Sequence, residues 1–495
     1  MTSQSHEPAD LSAVEARRLI GLKQLSPVEL AESCIRRVER VNPAVNALVA
    51  HDFDRTMDAA RQAEAQVTSG GPLGALHGLP FGVKDQADAA GLPTTFGSRL
   101  MADNIATTDS LIVANMRSAG AVLLGKTNMP EFGLGGNTRN EVYGVTANPY
   151  DLTKTCAGSS GGSGVALATG MAPLCTGTDT GGSLRNPAAY NGVVGFRTTP
   201  GVVPDPKRVL GLIPMSLAGP MARDVADAAL MLSVISRPDL GDPFSTLQSG
   251  DRFAAPQPAD LSSLRIAVTE DFGFAITEGI VRRAFQKRAS AIAPLCGTAD
   301  TASPDCSGAD RLFALLRSMV MMNAGFRRFA NTPGALGPNT LANIAEARSY
   351  SAADYTGALA SQTAYMAQWK TFFDSWDYLI SPAVSVSPRP WRELYPAVVD
   401  GQTLDSYYQW LSLAYASTIA GHPSITIPMG LDETGMPFGL QIIGRRHDDL
   451  GVLRVAAALE TQFAGNPDLS RPGVDLEALA AAKPLSEDEN FYGFG

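Results

Sequence analysis

Lysine is scarce in this sequence. Eight occur in 495 residues, at 23, 84, 126, 154, 207, 287, 370 and 483, and nowhere do Lys and Arg form a basic run. With a net charge of −10, the chain lacks the clustered cations that hold a phosphate backbone, so no nucleic-acid partner is expected. Cysteine is scarce too. Cys34, Cys156, Cys175, Cys296 and Cys306 are odd in number and widely spread, and no CxxC occurs. That excludes a disulfide framework; it leaves open a pair between Cys296 and Cys306, which flank a Ser/Asp-rich loop. The five histidines, His6, His51, His77, His422 and His447, show no HxH, HxxxH or HxxEH spacing, so neither a metal site nor any other cofactor is expected. No apolar run reaches 18 residues, which excludes a transmembrane helix. "MTSQSHEPAD" has no apolar core, so no signal peptide is expected and the predicted location is cytoplasmic, without a membrane partner. Repeats and a convincing linker are also missing.

What is present is ordinary for an enzyme: 45% hydrophobic and 18% charged residues, enough for a large core. Residues 11–48 carry apolar side chains at i, i+3, i+4 spacing, and Ser26-Pro27 reads as a helix start. A further helix is expected over "FDRTMDAARQAEAQV". Between about 77 and 232, short apolar runs alternate with helical ones. "LPFGVKD" and "AVLLGKT" read as strands, "DSLIVANMRSAG" and "GSGVALATG" as helices. "SLRIAVTEDFG" opens a less regular region as a strand, followed by helix "TEGIVRRAFQKRASAIA", a loop "CGTADTASPDCSGAD" and a Met-rich core helix "RLFALLRSMVMMNAGFRRFA". "WDYLISPAV", "HPSITIPMG" and "FGLQIIGR" are strands and "LGVLRVAAALETQF" is a helix. The predicted fold is α/β: one large domain, 1–495, with a mixed central sheet covered by helices on both sides. Its parts are a helical segment at about 11–70, a core at about 75–232, the less regular region at about 235–370 and an α/β part at about 376–465.

Two motifs mislead. "GAVLLGKT", Gly120 to Thr127, has the spelling of a phosphate-binding loop, but a helix precedes it and its Ala, Val and Leu residues want burial in a strand. "GSSGG", Gly158 to Gly162, spells a nucleophile elbow on Ser160. That reading needs His422 or His447 as base; His422 stands before a strand and His447 lies in the charged "GRRHDD".

Three stretches belong together. "HGLPFGVKD" puts Lys84 at a strand end behind apolar residues, where burial lowers an amine's pKa from ~10.4 toward neutrality. The plain alternative is a surface lysine paired with Asp85. "AGSSGGSG" puts Ser159 and Ser160 before a helix. "GTDTGGSLRNP" puts Ser183 after Gly181-Gly182, where turning backbone can aim N–H groups at one spot, as an oxyanion hole requires. The plain alternative there is a tight turn with a capping serine.

Together with "ARRLIGLKQLSPVELAESCIRRVERVNPAVNALV", "GKTNMPEFGLGGNTRN", "GVVGFRTTPG", "LAGPMARDVADAALML" and "GLQIIGRR", these stretches resemble the amidase signature family of serine hydrolases over most of the chain. The resemblance implies a Ser-cisSer-Lys triad: Ser183 as nucleophile, Ser159 as bridging serine after a cis Gly158-Ser159 bond, and Lys84 as base. It also implies an oxyanion hole from Thr180, Gly181, Gly182 and Ser183, and an acyl-side wall from Phe132, Gly133, Leu134 and Gly135. Asp179 and Arg185 are expected to hold the loop. Cys156-Ala157 and Arg197-Thr198 depart from the family's frequent Pro-Gly and Lys-Pro.

The implied activity is cleavage of carbon–nitrogen bonds through an acyl-enzyme. The Met-rich helix and "YYQWLSLAY", Tyr407 to Tyr415, favour aryl or bulky apolar amides, with carbamates and esters as further substrates. The partner is then a small molecule; the sequence leaves the oligomeric state open, a homodimer among the options. The alternative is an amidotransferase subunit that takes ammonia from glutamine beside a partner protein.

Overall fold

The computed structural model describes residues 7–322, 332 and 334–492. Seventeen strands form among them: β1 Leu48–Ala50, β2 Pro80–Lys84, β3 Val122–Thr127, β4 Arg139–Asn140, β5 Gly144–Val145, β6 Ala147–Asn148, β7 Asp151–Thr155, β8 Leu174–Asp179, β9 Val194–Arg197, β10 Leu217–Ala222, β11 Arg265–Val268, β12 Thr298–Thr301, β13 Tyr378–Pro382, β14 Val398–Val399, β15 Gln402–Thr403, β16 Ser424–Leu431 and β17 Pro437–Ile443. Eleven of them make one sheet in the order β1-β3-β2-β8-β10-β9-β16-β17-β13-β11-β12. The sheet is mixed. β2 runs parallel to β3 and β8, and β11 parallel to β12 and β13, while β10 returns antiparallel between β8 and β9. β4–β5, β6–β7 and β14–β15 are separate two-stranded ribbons.

Alternation along the strands divides the core. Ile266, Ile380 and Ile442 join one apolar cluster, while their neighbours Ala267, Leu379 and Ile443 join another. Successive side chains point to opposite faces, so both faces of the sheet are buried. Helices Pro27–Val45, Val225–Ile235, Gly279–Ile292 and Asp449–Phe463 cover the first face; Ala309–Met321, Ala352–Ser375 and Ser412–Ala420 cover the second. Each fully buried Ile or Leu contributes about 1.5–3 kcal/mol.

The helix at Pro27 starts as its sequence dictates. Ser26 Oγ accepts from Val28 N and Glu29 N, Glu29 returns to Ser26 N, and Pro27 occupies the first turn. The helix Arg185–Asn191, which follows the nucleophile candidate, lies almost in contact with the sheet backbone. A Cβ at Gly439 would stand 2.5 Å from Ala189 Cβ, and one at Gly195 would stand 2.3 Å from Leu184 O. Only hydrogen at these positions lets the helix sit so close.

One sequence reading changes, and one left open is decided. Thr298–Thr301, expected in a loop, is the edge strand β12, parallel to β11. Cys296 and Cys306 are both free thiols; the buried Cys306 lies 3.2 Å from the Tyr365 hydroxyl instead. The Met-rich helix is seen as Ala309–Met321, with Leu312, Phe313, Leu316 and Met321 buried as core. The remainder of that helix reading, residues 323–330, lies outside the described residues.

Candidate active site

Parallel strands β2 and β8 end side by side and deliver the chemistry from their carboxyl ends. Lys84 closes β2. Its backbone N donates to Thr176 Oγ1 of β8 (3.0 Å), fixing the two strand ends together. Its side chain is completely buried. Nζ lies 2.7 Å from Ser159 Oγ, 2.9 Å from Ser160 Oγ and 2.8 Å from Thr178 Oγ1. Among the described residues, no carboxylate touches it. Burial brings the amine down to about 7, with Asp179 opposing the shift. The alternative pairing with Asp85 is absent: Asp85 accepts from Thr95 N (3.2 Å), Thr95 Oγ1 (2.7 Å) and Gly97 N (3.1 Å).

Ser159 and Ser160 come from the turn that opens the helix Gly161–Ala168. The Gly158-Ser159 peptide is cis. The turn is ordered, not a linker. Thr138 Oγ1 donates to Ala157 O (2.8 Å), Asn191 Nδ2 to Cys156 O (2.9 Å), and Gly161 and Gly162 have no room for a side chain. Cys156 is buried, its thiol pushed up to about 12 by burial, which makes it a packing residue.

Ser183 follows β8 on the turn Thr180–Gly182. Asp179, fully buried, builds that turn: its carboxylate accepts from Gly182 N (3.0 Å), Leu184 N (3.2 Å) and Arg185 Nε and Nη2 (3.0 and 2.9 Å). Burial alone would raise the Asp179 carboxyl; Arg185 and Arg197 outweigh it and hold the group well below the usual carboxylate range. The Gly182 amide is thereby occupied. The amides of Thr180, Gly181 and Ser183 have no acceptor among the described residues. Ser160 N donates to Ser183 O (3.3 Å), which sets the two turns face to face; the Ser159 and Ser183 hydroxyls themselves are not hydrogen-bonded to each other.

The loop Phe132–Gly135 borders this cluster. A Cβ built on Gly133 would stand 3.4 Å from Ser159 Oγ. Phe132 is held at φ 51° with its N donating to Phe96 O (2.7 Å). On the other side, Phe313 Cζ and Leu411 Cδ1 lie 3.0 and 3.8 Å from a Cβ built on Gly181. The Phe313 ring stacks on Tyr415 at 4.2 Å.

The histidine alternative for Ser160 finds no base in His422, and His447 is exposed, with its backbone N donating to Thr199 Oγ1 (2.9 Å). His422 Nδ1 bonds Gly444 O (2.8 Å), its ring packs on Phe373 and Trp369, and burial lowers it to about 4. Residues that sequence reasoning missed are Thr178, the third hydroxyl on Lys84, and Gln86, whose Oε1 accepts from Thr178 Oγ1 (3.2 Å). Thr178 sits in the quoted "GTDTGGS" at an inward strand position, a signal available only once β8 is set beside β2.

Comparison with known proteins identifies the family. An acylamidase of Rhodococcus erythropolis is 35% identical over 453 residues, covering 91% of this chain and 95% of that protein. A glutamyl-tRNA(Gln) amidotransferase subunit of Acidothermus cellulolyticus is 33% identical over 485 residues, covering 91% and 94%. The crystal structure of a bacterial aryl acylamidase of the amidase signature family superposes with a TM-score of 0.86 at 28% identity, over 96% of this chain and 99% of that one. The Amidase family model itself matches residues 29–453, so the chain belongs to the amidase signature family and is an amide-hydrolysing enzyme.

Proposed function

We propose that this enzyme cleaves aryl or bulky apolar amides through an acyl-enzyme on Ser183, with Ser159 as proton relay and Lys84 as base. The observation that carries the reading is the completely buried Lys84 amine, 2.7 Å from Ser159 Oγ and without a carboxylate partner among the described residues. Neutral Lys84 takes the Ser159 proton as Ser159 takes the Ser183 proton, and Ser183 Oγ adds to the carbonyl carbon. The oxyanion is held by the free amides of Thr180, Gly181 and Ser183. Gly182 serves the hole indirectly, through its bond to Asp179. The proton returns through Ser159 to the leaving nitrogen, the C–N bond breaks, and water releases the acid by the same relay in reverse.

The substrate class is supported by the walls. Phe132, Leu134, Phe313 and Leu411 are apolar, and Arg317, on the helix that carries Phe313, is tied to Glu346 at 2.7 Å and lies over the Tyr408 ring at 4.0 Å. The acylamidase and aryl acylamidase likenesses point the same way. Carbamates and esters share the carbonyl chemistry and fall within the same reading. The likeness to an amidotransferase subunit keeps a second one: ammonia release from glutamine beside a partner protein. The test is a panel of anilides, small aliphatic amides, esters, carbamates and glutamine given to the purified chain alone. Anilides are expected to show the highest kcat/KM among the amides. An enzyme idle on all of them, and active on glutamine only with a partner protein, would reverse the assignment.

A further inference from the structure

Two of the eight lysines are completely buried, Lys84 and Lys126, and they stand on paired strands. In the parallel register of β2 with β3, Lys84 faces Thr127 and Val83 faces Lys126. Side chains alternate along a strand, so Lys84 and Thr127 share one face and Lys126 projects from the other. On the Lys84 face, Thr127 Oγ1 bonds Ser163 Oγ (2.7 Å) of the helix that begins at the Ser159–Ser160 turn. On the far face, Lys126 Nζ donates to the carbonyls of Asp85 (2.9 Å), Ala87 (2.9 Å) and Pro93 (2.8 Å) and reaches Thr94 Oγ1 at 3.1 Å.

Every one of those acceptors lies in the segment by which the chain leaves Lys84. Asp85, the next residue, continues the path: it binds Thr95 and Gly97 and lies 4.0 Å from Lys126 Nζ. Between Thr95 and Gly97, Phe96 O accepts the Phe132 amide at 2.7 Å. Taking an amine out of water is costly unless its protons are satisfied, and a methionine would fill the same space without that cost. What the amine supplies is three donors aimed at three carbonyls of one segment. The misleading "GKT" of residues 125–127 thus has a use that is not phosphate binding.

We infer that Lys126 is a positioning residue for both halves of the active site: it clamps residues 85–94 from the far face of the β2–β3 pair, fixing where Lys84 enters the pocket and where Phe96 meets the Phe132 loop. The inference rests on the reading of Lys84 as base. The groups facing Lys84 are the Ser159, Ser160 and Thr178 hydroxyls and, through the field, Asp179. Those facing Lys126 are Asp85 and, through the field, Asp88; burial brings its amine down to about 8. Loosening the clamp admits water beneath Lys84 and returns its affinity for a proton toward that of an ordinary lysine.

The test compares Lys126→Met, Lys126→Arg and Thr94→Val with the parent enzyme in pH profiles of kcat/KM on one anilide, together with KM at the plateau. Folded Lys126→Met is expected to lose about tenfold or more in kcat/KM, with the acid limb moved to higher pH and KM raised; Lys126→Arg restores part of both. A folded Lys126→Met with an unmoved limb and unchanged KM, whatever its melting temperature, overturns the inference. Should Lys126→Met not fold, Thr94→Val decides: a smaller shift in the same direction supports the clamp, and a profile superimposable on the parent's overturns it. Lys84→Met separates the two readings. If it keeps activity and the acid limb, the base assignment fails, and the KM of Lys126→Met still decides the Phe132 half.

Discussion

A lysine that acts as a base must first lose its proton, and the surroundings of Lys84 do this by exclusion of water. Its three neighbours are neutral hydroxyls, which accept hydrogen bonds without stabilising the charge as a carboxylate would. With the amine brought down to about 7, the active fraction grows as pH rises through that value and levels off above it. The expected pH–rate profile is therefore a rising limb near pH 7 in kcat/KM. Lys84→Ala is expected to cut anilide hydrolysis by about 10²–10⁴-fold and the matching ester less, because an alkoxide needs protonation less than an amine does. Equal losses on the two substrates would remove Lys84 from the proton path to the leaving group. Ser183→Ala is expected to leave less than about one percent of the rate with the melting temperature unchanged. Persistent burst kinetics in that variant would mean that another group carries the acyl chain.

At the scale of elements, the nucleophile turn is shaped by one carboxylate. Asp179 closes β8 and accepts from two amides of the turn and from two guanidiniums, that of Arg185 and, at 3.4 Å, that of Arg197. Asp179→Asn keeps the shape but removes the charge, which leaves two buried guanidiniums uncompensated. A loss of about 3–5 kcal/mol in unfolding free energy is expected, read by urea denaturation, with kcat falling as the turn loosens. Stability and kcat both at parent level would show that the turn holds its form without the carboxylate. The turn's sequence was legible because Gly-Gly before serine and Asp179 before both are local signals. The helix start at Ser26-Pro27 and the apolar strands at 80–84 and 424–431 were legible for the same reason. β12 was not. Its residues "TADT" alternate no apolar face and lie at the sheet edge, mostly exposed, so the only thing that makes them a strand is the neighbouring backbone of β11. Thr178, Gln86 and the Lys126 clamp were illegible for a related reason: each matters through a contact between strands or loops whose sequence positions lie 32 to 94 residues apart.

The whole molecule carries buried ionisable groups of both signs, and they set how its stability responds to pH. Two helices have remote carboxyls at their N-termini: Glu460 accepts from Val225 N (3.2 Å), and Asp227 accepts from Ala13 N (2.7 Å) and Val14 N (2.8 Å). Burial, then the nearby Asp224, raises Glu460 to about 8 and Asp227 to about 7. In the unfolded chain such a carboxyl loses its proton near 4, so between there and pH 8 the native state holds more protons and stability falls as pH rises. Lys84 acts with the opposite sign. Its native amine is neutral above about 7, whereas the unfolded one stays protonated to 10.5, so its cost is full below pH 7 and disappears as pH climbs toward 10.5. Two variants separate these contributions. Glu460→Gln keeps an acceptor for Val225 N and removes the titration; it is expected to melt close to the parent at pH 5 and above it at pH 8. Lys84→Met is expected to gain most on the parent at or below pH 7 and to lose that gain by pH 10. Melting temperatures of the three proteins at pH 5, 8 and 10 check both signs. A Glu460→Gln curve parallel to the parent's between pH 5 and 8 would mean that Glu460 is already ionised in the native state, and that the N-terminus of helix Val225–Ile235 is held by a carboxylate and not by a neutral acid.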